Sequence, residues 1–307
     1  MTGRRADAEP DDRHPQRVTG AEADPDDADP QPDADPEPDL EPDPDLQPDP
    51  DLDLDLGSED DMIDLLFSEA PDSDLDFLLI PLFTEAERQM RSIERPLDAE
   101  MWASELLGML ELDASEESTA EEKAEATLNL ATRLSEFAVD QESPSGLAVL
   151  RTLSVIAPPE ARPFAQESAT QMVADGLHDQ PWVSSLGRPT VGRCWRLRDP
   201  EGTQESVTVV FAYGRQEHTL TVLIDHTLGG GVKDCWIGED PDALLAETRA
   251  GLASSGIEIE VVGLDEVTPS LQQALSLPEC PQTSDEREDL ALGRAIMHAR
   301  VEHLLTL

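Results

Sequence analysis

The sequence is poor in cysteine and in aromatic residues. Its 307 residues include 3 Cys, and Phe, Trp and Tyr together make up 4%. The cysteines, Cys194, Cys235 and Cys280, have no CxxC or Cys/His spacing, so neither a disulfide framework nor a zinc site is predicted. Their small number suits a reducing compartment. Because no basic stripe accompanies the few aromatic residues, a surface for stacking nucleic-acid bases is not expected.

Long hydrophobic runs are also missing. The longest apolar run covers residues 77–83, which is far too short to cross a bilayer. Arg4 and Arg5 are not followed by an apolar stretch, so the N-terminus does not have the pattern of a signal peptide. The sequence therefore predicts a soluble cytoplasmic protein that does not bind membranes.

Acidic residues are abundant. The net charge is −47, and 26 Asp or Glu residues lie between Arg17 and Arg88 without one Lys or Arg. A Pro/Asp-rich segment of this kind cannot bury enough apolar surface to offset the entropy of ordering it, so residues 1–57 are predicted to be a disordered acidic tail. The charge disfavours nucleic-acid and membrane partners and favours a basic protein. The Asp51–Asp55 run lacks the glycine and distant glutamate of an EF-hand, so no metal and no cofactor are predicted.

Residues 58–95 form an acidic segment with hydrophobic clusters and are predicted to contain short helices. Met62, Ile63, Leu66 and Phe67 fall on one face of such a helix. This face either docks into the groove of a partner protein or packs against the body of the same chain. Farther on, Pro81 is expected to end a second cluster. A capping box of Thr84 with Glu87 is then expected to begin a helix over residues 86–95.

The remaining chain is predicted to have an α+β fold. Residues 96–182 have helical periodicity and suggest a small bundle. Residues 183–307 begin with a three-stranded antiparallel meander, followed by a helix over 241–253, a strand over 257–262 and a helix over 285–305. A four-residue turn at 214–217 is expected to place Tyr213 opposite His218 and Val207 opposite Ile224, with the apolar residues on one face.

One segment contains residue types that could carry out chemistry. A strand end is followed by three glycines, and the candidate catalytic residues are Asp225, His226, Lys233, Asp234 and Cys235. Asp225 with His226 could act as a base and its orienting group, and Cys235 as a nucleophile. In a regular strand, however, Asp225 and His226 point to opposite faces. We therefore favour a structural loop with His226 hydrogen-bonded at the strand end.

Residues 97–108, residues 222–230 and the pair Lys233-Asp234 resemble a group of actinobacterial proteins of unknown activity. The likeness covers residues 96–265 and omits the acidic tail. It implies a cytoplasmic bacterial protein, in agreement with the use of 19 arginines against 2 lysines, a bias expected of a high-GC genome. The resemblance transfers no catalytic residues.

Three functions are consistent with these patterns. The first is a non-enzymatic interaction or regulatory protein, with an acidic arm on an α+β body and a basic or groove-bearing partner protein. The second is a hydrolase or transferase with its site in residues 225–235. The third is a mimic of nucleic acid, which a flexible tail serves poorly because mimicry needs charges at fixed spacing. The oligomeric state and the biological process stay open.

Overall fold

The structure is a computed structural model that describes residues 72–113, 119–252, 257 and 259–307. The predicted acidic tail at 1–57 and the predicted partner-binding face at Met62, Ile63, Leu66 and Phe67 lie outside the described residues. The described part contains eight α-helices, two short 3-10 helices and five strands, which confirms the predicted α+β class. None of its helices combines the length and apolar character needed to cross a bilayer.

Five helices precede the sheet. They are α1 (Asp72–Met90), α2 (Pro96–Asp113), α3 (Ala120–Asp140), α4 (Pro144–Ile156) and α5 (Arg162–Ala174), followed by a 3-10 helix at Pro181–Ser185. Local signals explain where several begin. Thr119 and Glu122 form a capping box at the start of α3, and Ser143 caps α4, which has a proline in its first turn.

Helix α1 differs from its prediction. The sequence predicts short helices in this segment, with a start at Thr84, but α1 runs continuously through Pro81. The Thr84 hydroxyl does not cap a helix; it donates to the Ile80 carbonyl one turn earlier, at 2.8 Å. Thr84 therefore sits inside the helix, where such a back-bond is the usual arrangement of a threonine.

The five strands form one antiparallel sheet in the order β4-β3-β2-β1-β5. Two helices, α6 and α7, lie on either side of β5 in the sequence, and α8 ends the fold. A further 3-10 helix at His226–Leu228 follows β3. The bounds are β1 (Thr190–Arg198), β2 (Gln204–Tyr213), β3 (Gln216–Asp225), β4 (Val232–Gly238), α6 (Pro241–Leu252), β5 (Ile259–Val262), α7 (Leu264–Leu275) and α8 (Ser284–Leu304). Strand β4 and helix α7 were not predicted.

The predicted pairing of β2 with β3 is wrong by two residues. Tyr213 pairs with Gln216 and Val207 with Val222, so the turn has two residues and not four. Gly214 occupies the first turn position with φ of +64°, as tight hairpin turns between twisted strands require. Because the error is an even number of residues, the apolar side chains keep the predicted face.

The buried hydrophobic residues form two clusters that share α8. The first lies among the helices and includes Leu107 and Leu150, and α8 adds Ile296 to it. The second lies between the sheet and helices α7 and α8, with Phe211 from β2 and Met297 from α8. Helix α8 therefore packs against the helical part on one side and against the sheet on the other.

Candidate functional site

Asp225 ends strand β3 and is fully engaged in organising the turn that follows. Its carboxylate accepts hydrogen bonds from the Thr227 amide at 2.9 Å, the Thr227 hydroxyl at 2.6 Å and the Gln204 side chain at 2.8 Å. These bonds, chiefly those of the Thr227 and Gln204 side chains, lower the pKa of Asp225 to about 2. A carboxylate that is ionised and supplied with donors caps a turn well but is a weak general base.

His226 turns away from Asp225, at the first position of the 3-10 helix. Its amide donates to the Thr203 carbonyl at 2.8 Å. The side chain is 45% exposed, and its Nε2 atom lies 3.6 Å from the buried Glu205 carboxylate, which also accepts from Arg198 at 2.7 Å. The backbone, and not the imidazole, makes the hydrogen bond at the strand end.

The other three candidates lie in strand β4. The Lys233 ammonium pairs with Glu286 of α8 at 3.2 Å. Burial, with the nearby Asp289 and Glu286 carboxylates, raises the pKa of Asp234 to about 6. Cys235 is 1% exposed, and burial raises the pKa of its thiol to about 12. A thiol that stays protonated and has no access to solvent is not poised as a nucleophile.

The three glycines before β4 fit a packing role. A Cβ atom added to Gly231 would lie 2.0 Å from the Pro278 carbonyl oxygen, so only glycine allows the backbones to approach this closely. The Cys280 amide donates to the Val232 carbonyl at 3.0 Å beside this contact. Among the described residues, no hydrogen bond or ion pair joins any two of the five candidate side chains. The loop brings backbones together, and the five side chains contact different neighbours.

A different group of polar side chains does converge, in the interior. Glu100 of α2 and Arg300 of α8 form an ion pair through Glu100 Oε2, and both residues are at most 1% exposed. The other carboxylate oxygen of Glu100 accepts from the Tyr213 hydroxyl at 2.5 Å and from the Gly187 amide at 3.1 Å. Arg300 Nε lies 3.2 Å from His218 Nε2. We call Glu100, Tyr213, His218 and Arg300 the buried polar network.

Aromatic rings enclose the guanidinium group of this network. Arg300 lies 5.5 Å from the centre of the Phe211 ring and 5.6 Å from that of Tyr213, within the range of a cation–π contact. The His218 ring stacks against both of these rings. Burial and the Arg300 charge lower the pKa of His218 to about 3, and burial raises the pKa of Tyr213. His218 is therefore neutral and accepts from Arg300 at Nε2.

The buried polar network joins α2, α8 and the sheet and serves as a structural clamp. Its side chains are buried between the elements that they join. Sequence reasoning missed it, although one signal was present: Arg300 interrupts the apolar face of α8 between Met297 and Val301. A charge at a core position predicts a buried partner, but the sequence pattern does not say which one.

Metal binding finds no support in the described part of the chain. No group of three or more His, Cys, Asp or Glu side chains there is arranged to hold a metal ion. All three cysteines are buried and reduced. Comparison of the chain with models of known protein families, with curated proteins and with solved structures finds no match.

Proposed function

We propose that the protein is a non-enzymatic interaction or regulatory protein whose acidic N-terminal arm binds a basic partner protein in the cytoplasm. One observation carries this proposal. The stretch of 26 acids without a base ends at Arg88, inside a helix whose last turns are fixed in the core. Phe83, Ala86 and Met90 of α1 are each at most 2% exposed, and the Phe83 ring lies 4.3 Å from that of Phe137. The acidic stretch therefore continues into a helix whose last turns pack in the core.

Residues 225–235, which we call the glycine loop, also support a binding role over the hydrolase or transferase alternative. The Asp225 carboxylate already accepts four hydrogen bonds, including one from the Leu228 amide at 3.2 Å, and the Cys235 thiol is buried with a raised pKa. A catalytic site needs a base within hydrogen-bond reach of a nucleophile. The described loop residues supply no such pair. The actinobacterial origin suggested by the resemblance stays a prediction.

The test is capture of partner proteins by the purified full-length chain, with identification by mass spectrometry and reconstitution of each complex from purified components. We expect a basic partner whose binding weakens as salt is added, because exposed charges are screened. Replacing Leu66 and Phe67 together by Ala should abolish the reconstituted binding. The matched control replaces Leu52 and Leu54 by Ala in the same acidic arm, and binding should persist.

Two outcomes would contradict the proposal. Reconstituted binding that is unchanged by removal of residues 1–71 would show that the arm takes no part. A Leu66→Ala/Phe67→Ala variant that lowers the melting temperature of the body would show that these side chains pack against the chain itself. Melting curves of both double variants therefore accompany every binding measurement.

A further inference from the structure

A cleft of about 860 Å³ lies beside the C-terminal end of α8. Helix α4, the start of α5, the 3-10 helix at Pro181–Ser185 and the last turn of α8 contribute its walls. Three arginines line it, one from each of three separate segments: Arg151, Arg162 and Arg188. We call this cavity the arginine cleft. Its volume lies within the range of small-molecule sites.

The guanidinium groups of the arginine cleft are held in place by groups of the protein. Arg151 donates through Nε and one terminal nitrogen to Asp179, at 2.8 and 3.1 Å. Arg162 donates through Nε to the Ala157 carbonyl at 2.6 Å and through one terminal nitrogen to Glu302 at 2.5 Å. Partners of this kind fix the orientation of a long side chain before any ligand binds.

Each of the three guanidinium groups keeps donors to spare. An arginine has five N–H donors. Arg188 uses one terminal nitrogen, in a 2.6 Å bond to the Ser184 carbonyl. Within the residues that the structure describes, at least one terminal nitrogen of Arg151, of Arg162 and of Arg188 has no acceptor. The cleft is therefore lined by three charged groups that retain hydrogen-bond donors for a ligand.

The net charge of the cleft is opposite in sign to the net charge of the chain. Its ionised side chains are three arginines against two carboxylates, Asp179 and Glu302, whereas the whole chain carries −47. The surrounding negative field repels an anion in proportion to the charge of that anion. A long polyanion such as a nucleic acid is consequently disfavoured. A compact ligand that places its charge entirely inside the cleft gains the arginine contacts at the smallest cost.

We propose that the arginine cleft is a binding site for a small polyanion bearing carboxylate or phosphoryl groups. The planar guanidinium matches the paired oxygens of both groups, and charge-assisted bonds of this type are the stronger hydrogen bonds in proteins. The Ser154 and Gln166 side chains also line the cleft and supply neutral hydrogen-bonding groups for the rest of the ligand. This inference is independent of the function proposed for the acidic arm.

Isothermal titration calorimetry of the full-length protein at low ionic strength tests the proposal. Inorganic pyrophosphate is the ligand in one titration and citrate in the other. We expect at least one of them to bind with a dissociation constant of about 1 mM or less. Arg188→Ala should weaken that binding about ten-fold. Arg188 is chosen because it is exposed and bonds only to a backbone carbonyl, so the variant should keep its melting temperature. Arg188→Gln serves as a second variant.

The matched control is Arg215→Ala, which removes an exposed arginine at the β2–β3 turn, outside the cleft. Its affinity should equal that of the unmodified protein. Absence of binding by both anions would overturn the proposal, and so would equal losses in the Arg188 and Arg215 variants. Binding of pyrophosphate alone would assign the site to phosphoryl ligands, and binding of citrate alone to carboxylates.

Discussion

Glu100 and Arg300 are charged side chains that water does not reach. Taking both out of water costs several kcal/mol each, and their attraction in the interior offsets this only if the remaining donors and acceptors also find partners. Here Tyr213, Gly187 and His218 provide such partners. His218 Nδ1 is the exception, since it is buried without a partner among the described residues. Replacing one member of the Glu100–Arg300 pair is consequently expected to lower the stability of the fold more than replacing both.

Arg300→Met is expected to lower the free energy of unfolding by about 3–5 kcal/mol, because it leaves the Glu100 carboxylate buried without its counterion. Combining it with Glu100→Leu should recover part of that loss, because the double variant has no unpaired charge. Urea denaturation of both single variants and the double variant measures the coupling. A double variant with the summed loss of the two single variants would show that the two side chains act independently.

His218 makes stability depend on pH in a defined direction. The pKa of His218 falls from an ordinary 6.5 to about 3 in the folded state. Between these two pH values the imidazole is protonated in the unfolded chain but neutral in the folded protein, which favours unfolding. The stabilising contribution is complete above pH 6.5 and declines as the pH falls toward 3. His218→Gln should flatten this decline, which can reach about 1.4 kcal/mol per pH unit.

Unfolding free energies measured between pH 7 and 5 for the parent and for His218→Gln test this prediction. Asp234, with its pKa raised to about 6, titrates in the same range and stabilises the fold as the pH falls. Because Asp234 is present in both proteins, its effect largely cancels in their difference. Identical slopes in the parent and His218→Gln would contradict the assignment.

One backbone contact explains why the glycine loop needs a glycine at position 231. Gly231 packs against Pro278, and the residue after it begins strand β4. Gly231→Ala should lower the unfolding free energy by about 1–3 kcal/mol, because the new methyl group overlaps a backbone carbonyl that cannot move alone. The control is Gly251→Ala, where an added Cβ meets no atom within 4 Å. That exposed helical position should be neutral or slightly stabilised.

The melting temperatures of Gly231→Ala and Gly251→Ala, compared with that of the parent, test whether packing explains the glycine at position 231. Equal stability of Gly231→Ala and the parent would remove the packing explanation.

Sequence patterns predicted the type of most elements but not their pairing. The alternation in β2 and β3 fits two registers that differ by two residues, because both place the same side chains on the same face. The sequence does not predict strand β4, because the pairing of β4 with β3 contains a register shift. Val232 pairs with Ile224, but Asp234 pairs with Leu223. The extra residue changes the phase of the alternation, and the pattern no longer resembles a strand.

The candidate sites were less predictable because their members are far apart in the sequence. Glu100 and Arg300 are separated by 200 residues, and local periodicity carries no information about contacts over such distances. The arginine cleft likewise combines residues from four segments. The five candidate residues of the glycine loop are neighbours in sequence, and for this reason the sequence pattern indicates a site there. In the fold, however, strand pairing directs Asp225 to the turn and Cys235 to the core.

Across the whole chain, the negative charge is densest in the first third of the sequence, whereas the hydrophobic packing involves later residues. Residues 1–95 carry 31 acids and 7 bases, and the other 212 residues carry 37 acids and 14 bases, giving −24 and −23. Among the side chains that the structure describes, the two hydrophobic clusters draw on residues from Phe83 onward. Because residues 1–57 carry mutually repelling charges and few apolar side chains, their removal is expected to leave the melting temperature of the body nearly unchanged.

Calorimetry of the full chain and of the shortened protein at equal salt measures this effect. A loss of several degrees on removal of residues 1–57 would show that this acidic tail packs against the body, and the prediction of disorder would then be wrong.

The position of α8 has a consequence for biosynthesis. A ribosome adds roughly 5–20 residues per second, so Glu100 is made about 10–40 s before its counterion Arg300. Throughout that interval both hydrophobic clusters lack the residues that α8 supplies. The nascent chain consequently exposes an incomplete core until α8 has been synthesised. Completion of both hydrophobic clusters is therefore expected to follow the synthesis of α8.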